Sequence, residues 1–174
     1  MNLFNNKSIH YAMENGLILA LYFLIKFAFT YFSLPYPALN IIALILSFGI
    51  PFVLYWMVRK FRDNENESKI TFGEGWSLSL LIMAFASLPE ALAMYFFYQY
   101  IDPQYIATIV NQSSKLLDTM QQSDPSQYIT QFSDMFKNND IPSSAQMAVQ
   151  GIFNNIFFGS ILSLIVAFFV KKEK

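Results

Sequence analysis

Three ionisable side chains, Glu14, Lys26 and Glu90, stand inside long apolar stretches of this chain. A charge at the centre of a membrane helix costs about 2.5–3.5 kcal/mol on insertion scales, so each needs a reason to be there. Lys26 shares a helical face with Asn15, Tyr22 and either Thr30 or Phe29, and that face is expected to look inward. Glu90 follows Pro89, which takes one hydrogen bond from its helix and exposes the Phe85 carbonyl. A freed carbonyl beside a carboxylate can hold a proton or a cation; the plainer account is a kinked helix with a neutralised or paired acid. Counting 1.5 Å per residue from Ser33 and Tyr100 puts Lys26 about 10 Å and Glu90 about 15 Å below the outer surface, within reach of an ion pair. Lys26, Glu90, Tyr22 and Asn15 therefore form the candidate intramembrane polar site. Glu14 lies about a turn from the cytoplasmic edge, where the interface can hydrate it.

Two other stretches bear on chemistry or packing. Gly49-Ile50-Pro51 interrupts the second apolar segment and frees the Ser47 carbonyl, and paired broken helices mark substrate sites in some transporters. Proline is also simply common in membrane helices. The last segment carries Gln146, Gln150 and Asn154 on one face, then Gly159, Ser163 and Ala167 spaced four apart. Small residues at that spacing let backbones approach closely, so the triplet is the candidate helix-packing seam; a polar pathway along the amides is the alternative.

The elements that must position these residues follow from composition. Of the 174 residues 55% are apolar and only 13% charged, with 19 Phe and 10 Tyr, a balance wrong for a water-soluble core. Four segments reach the roughly 20 apolar residues needed to cross about 30 Å of hydrocarbon, near residues 11–33, 38–58, 76–100 and 145–170. Lipid leaves spans of this kind no choice but helix. Leu34-Pro35-Tyr36-Pro37 makes a tight reversal, Thr71-x-x-Glu74 reads as a capping box, and Ser143 or Ser144 can cap the last span. The fold class is thus all-α, a four-helix transmembrane bundle in one integral membrane domain over 1–174. The loop at about 101–144 is expected to hold two short amphipathic helices. They begin behind Asp102-Pro103, with Ile106, Val110, Leu117 and Met120, and behind Asp124-Pro125, with Tyr128, Ile129, Phe132, Met135 and Phe136.

Basic residues set the orientation. Lys7, Arg59, Lys60, Arg62, Lys69, Lys171, Lys172 and Lys174 fall on one side, against Lys115 and Lys137 on the other. Both termini are expected in the cytoplasm, and the long loop outside. The first apolar stretch is too long for a cleaved signal peptide and lacks an A-x-A-like site, so it should remain.

Several function classes drop out. With no Cys and one His, His10, thiolate chemistry, multi-histidine metal sites and a Ser–His–Asp arrangement are excluded or improbable. H-E-x-x-H, G-x-S-x-G and G-x-x-x-x-G-K-[ST] are absent, and Gly73-Glu74-Gly75 is no nucleotide loop. No cofactor is expected. A net charge of −1 gives no reason for a nucleic-acid partner, which leaves membrane lipids and a homo-oligomer or membrane protein partner.

Lys7-Ser8-Ile9, the small residues Ala12 and Gly16, Ile70-Thr71-Phe72-Gly73-Glu74-Gly75 and Tyr100-Ile101-Asp102-Pro103-Gln104-Tyr105 together resemble the bacterial membrane family catalogued as domain of unknown function 4199. The resemblance spans nearly the whole chain and implies a location in the bacterial cytoplasmic (inner) membrane, without assigning an activity. The expected role is a non-enzymatic membrane assembly or interaction module. A small transporter or channel subunit using Lys26 and Glu90 is the alternative, and a membrane-embedded enzyme comes third.

Overall fold

The computed structural model describes residues 6–123 and 141–172. Among the described residues five α-helices follow one another: α1 (Asn6–Phe32), α2 (Leu39–Glu65), α3 (Phe72–Phe96), α4 (Tyr105–Ser123) and α5 (Ser144–Val170). A single π-helical turn, Phe97–Ile101, extends α3. The fold is all-α, and α1, α2, α3 with its extension, and α5 are each long and apolar enough to cross a membrane. At 1.5 Å per residue these helices of 27 to 30 residues reach about 40 Å, so their ends outrun the hydrocarbon. That overhang explains why α2 continues to Glu65 although its apolar stretch ends at Val58: Arg59, Lys60, Arg62 and Asp63 prolong the helix in water.

The chain divides into two compact units, the larger comprising Met1–Ala93 and Gln150–Lys174. Within it α3 is the central helix, burying Gly75, Leu78, Ser79, Ile82, Met83, Ala86, Ser87, Glu90 and Ala91. Helix α1 meets it at Gly16, on the face where Ala12, Leu19, Ala20 and Phe23 are also buried. Gly16 is the point of closest approach, because a β-carbon there would stand 2.6 Å from Phe85 Cβ and 3.2 Å from the Ile82 carbonyl. Against α5, a β-carbon on Gly159 would lie 2.9 Å from Met83 Cε, and one on Gly75 would lie 3.5 Å from Ala167 Cα. Small residues at both contacts let the backbones close up, which maximises dispersion where lipid supplies no hydrophobic drive between helices.

Polar contacts tie one end of this unit together. Lys7 Nζ donates to the Glu65 carbonyl at 2.8 Å and lies 3.0 Å from its carboxylate. Arg62 Nη1 donates to the Val170 carbonyl at 2.8 Å, satisfying one of the orphan acceptors at the end of α5. Ile70 and Lys172 exchange two backbone hydrogen bonds of 2.9 Å, closing the α2–α3 connection against the C-terminal segment. Thr71 and Glu74 make the reciprocal capping box that starts α3, with the Thr71 amide donating to Glu74 Oε2 at 2.9 Å.

The outward faces carry Leu17, Leu21, Ile41, Ile45, Phe48, Phe52, Leu88 and Leu92, all exposed in the isolated chain. In water such faces would aggregate, whereas hydrocarbon solvates them without penalty.

The smaller unit is Met94–Val149. The π turn leaves Asp102 N donating to the Phe97 carbonyl at 2.9 Å, and stacks Tyr98 on Tyr105 with ring centroids 5.7 Å apart. Helix α4 begins two residues beyond Pro103; it buries Ile106 and exposes Leu116 and Met120. Ser143 takes the capping role before α5, its amide donating to Gln146 Oε1 at 2.7 Å. The helix expected behind Asp124-Pro125 lies outside the described residues.

Candidate functional site

Among the described residues Glu90 is the buried carboxyl, 4% exposed. The α3 helix continues through Pro89, and α2 through Pro51, so neither proline breaks its helix. Pro89 still lacks the N–H that would have bonded the Phe85 carbonyl. Opposite Glu90, Asn155 of α5 donates from Nδ2 to Glu90 Oε2 at 2.5 Å. The amide supplies the acid with a partner in a place where water cannot.

Lys26 does not make the ion pair expected with Glu90. Among the described residues the ion pairs within 4 Å are Lys7–Glu65, His10–Glu14, Arg59–Asp63 and Arg62–Asp63. The Lys26 ammonium instead lies 5.2 Å from the centroid of the Phe23 ring, a cation–π contact. Depth along the helices allowed the pair, but the azimuth of Lys26 does not match. At 100° per residue Lys26 stands about 80° round α1 from Gly16, the residue that touches α3.

Its expected companions go elsewhere. The Tyr22 hydroxyl donates to the Leu46 carbonyl of α2 at 2.7 Å. Asn15, buried, donates from Nδ2 to the Tyr11 carbonyl one turn back in its own helix. Lys26, Tyr22 and Asn15 thus occupy the flank of α1 without converging on Glu90. Glu14 is exposed and faces His10 Nδ1 at 3.3 Å.

Gly159, Ser163 and Ala167 all lie on the buried face of α5. The register set by Gly159 on Met83 and Ala167 on Gly75 places Ser163 level with Ser79, and both are fully buried. Ser79 donates to the Gly75 carbonyl at 2.7 Å, while the Ser163 hydroxyl has no partner. Gln146, Gln150 and Asn154 are exposed. The residue that sequence reasoning missed is Asn155, about 100° round α5 from that stripe. A signal was present: Asn155 is eleven residues from Ser144 and Glu90 eleven from Ile101, so both sit about 16 Å in from their helix ends.

Gly49 stands beside Pro51 in a helix that does not break, and its role is spatial. A β-carbon there would stand 2.2 Å from the Tyr22 hydroxyl oxygen. Gly49→Ala should therefore expel Tyr22 from the Leu46 carbonyl and lower stability by about 1–2 kcal/mol, read from thermal unfolding in detergent. A Tyr22→Phe background in which the same substitution becomes much milder would identify the hydroxyl as the obstacle. Equal losses in both backgrounds would contradict it.

A second polar cluster, Lys7, His10, Tyr11, Glu14 and Glu65, lines an open cleft of about 290 Å³ at the start of α1. Among the described residues no group of three His, Cys, Asp or Glu side chains is placed to hold a metal ion.

Comparison with known proteins adds one finding. The sequence model of the family described as Protein of unknown function (DUF4199) matches residues 14–172. No curated protein matches the chain. No solved structure does either.

Proposed function

We propose that this chain, which belongs to the DUF4199 family, is a non-enzymatic assembly module of the bacterial cytoplasmic membrane, a multi-pass protein with both termini in the cytoplasm. The observation that carries the reading is close helix packing: α3 meets α1 at Gly16 and α5 at Gly159, and a β-carbon at either would crowd its neighbour. Among the described residues the buried carboxyl, Glu90, is held by an amide.

The orientation rests on the eight-to-two distribution of basic residues. The gathering of Lys7, Arg62, Glu65, Ile70 and Lys172 at one end of the larger unit supports a shared side for both termini. A reporter enzyme that matures only outside the cytoplasm should be silent when fused after Lys174 and active when inserted near Ser123. The opposite pattern would overturn the orientation.

A second reading, a small transporter or channel subunit, is favoured by one observation: Glu90 is buried beside Pro89 within a helix apolar enough to cross a membrane. In that case Glu90→Gln would abolish proton- or cation-coupled flux in proteoliposomes. On the assembly reading it leaves the protein's stability and its complexes intact.

A further inference from the structure

We propose that the outward stripe of α5, Gln150, Asn154, Phe157, Ile161, Leu164 and Phe168, is the surface on which a second copy of this chain docks. The inference rests on the assembly reading and names the partner. All six side chains are exposed, and they recur at spacings of four, three, four, three and four. That is a seven-residue repeat, the pattern that keeps one helix face against a parallel neighbour in a left-handed crossing. The stripe is centred about 180° round α5 from Gly159 and the packed seam. It therefore runs along the middle of the face of α5 that the bundle leaves exposed, with Phe153, Phe158, Ile165 and Phe169 at its margins.

The two amides decide what covers it. Measured from Ser144 along the helix, Gln150 lies about 9 Å in, near the edge of the hydrocarbon once the overhang is allowed for, and Asn154 about 15 Å in, within it. Hydrocarbon offers an amide no hydrogen bond, and neither side chain makes one with a described residue. The contrast with α2 is direct: its outward Ile41, Ile45, Phe48 and Phe52 are apolar, and lipid alone suits them. A side-chain amide is at once donor and acceptor, so it is complementary to its own copy. A twofold axis along the membrane normal sets α5 parallel to its counterpart and brings each amide to its counterpart at equal depth. Gln150 and Asn154 then satisfy each other in pairs and pin the register, as a polar residue in a coiled-coil seam does. The Phe157 to Phe168 part of the stripe supplies the packed contact below them.

The chain contains no cysteine, so a single introduced thiol is an unambiguous probe. Full-length Ile161→Cys and Phe158→Cys chains, placed in lipid vesicles, are oxidised and resolved by mass. Both positions are exposed, but Phe158 sits about 60° round the helix from Ile161, off the stripe. The expected result is a disulfide-linked species of twice the chain mass from Ile161→Cys and little from Phe158→Cys. Adding Gln150→Leu and Asn154→Leu should lower the linked fraction about tenfold in association constant, since interhelical amide bonds are individually modest. Unchanged unfolding of the same variant in detergent would show that the monomer still folds. Equal linking at both positions, or linking that ignores the two leucines, overturns the proposal. When the same thiols are oxidised in the native membrane, linkage to a protein of another mass overturns the second copy as occupant and leaves the assembly reading standing. Absence of any linked species, in material whose native mass shows a complex, excludes this face while sparing that reading. Absence of both overturns both.

Discussion

Gly16→Leu is expected to prevent the chain from folding, and Gly16→Ala to lower its stability by about 3 kcal/mol, at the upper end of the range for overpacked interiors. The reason is what a side chain would meet. The β-carbon alone would come within 2.6 Å of Phe85 Cβ, 3.2 Å of the Ile82 carbonyl and 3.3 Å of the Ala86 amide nitrogen. None of these is the loose end of a flexible side chain. To admit even a methyl group, α1 and α3 must part, which loosens the buried face that Gly16 shares with Ala12, Leu19, Ala20 and Phe23. Gly73→Ala is the control, because nothing lies within 4 Å of a β-carbon there. Thermal unfolding in detergent should separate the two alanine variants clearly. Comparable stability for both would mean that the α1–α3 crossing is not as close as described.

Asn155→Leu is expected to cost about 2–3 kcal/mol, the scale of a hydrogen bond to a carboxyl that is then left buried without a partner. Glu90→Gln should be nearly neutral, because its carbonyl oxygen can take the same hydrogen from Asn155 Nδ2 that Glu90 Oε2 now accepts. Glu90→Leu in the Asn155→Leu background should recover part of the loss, since it removes the stranded group. This pattern, a severe single variant partly rescued by the double and a harmless isostere, belongs to a structural acid. If Glu90→Gln were as damaging as Asn155→Leu, the carboxyl would owe its place to something other than the amide.

Much of the architecture was legible because lipid narrows the choices. A run of about 20 apolar residues must be a helix in a membrane, and capping residues such as Thr71 and Glu74 mark its start by local chemistry. Which residues meet across helices was not legible in the same way. Depth follows from counting residues, so Lys26 and Glu90 fell at compatible heights, but the rotation of α1 was unknown until Gly16 was seen against Phe85. The same gap hid Asn155 behind Asn154: adjacent residues have the same composition and depth, and only the face that α5 turns to α3 tells them apart. Tyr22 looked like a member of a polar site because it shares a flank with Lys26, yet its hydroxyl reaches the Leu46 carbonyl through the notch left by Gly49. The four-residue spacing that marks Gly159, Ser163 and Ala167 as a packing seam recurs at Ala12, Gly16 and Ala20, which are buried as well.

The most direct test of the assembly reading is the native mass of the full chain released gently from its own membrane, measured for the unaltered protein and for Glu90→Gln. The predicted result is a defined complex heavier than the 20.1 kDa chain, of the same mass in both. A bare monomer in the unaltered protein, with Glu90→Gln altering proton or cation flux, would contradict the assembly role and transfer the function to the buried acid.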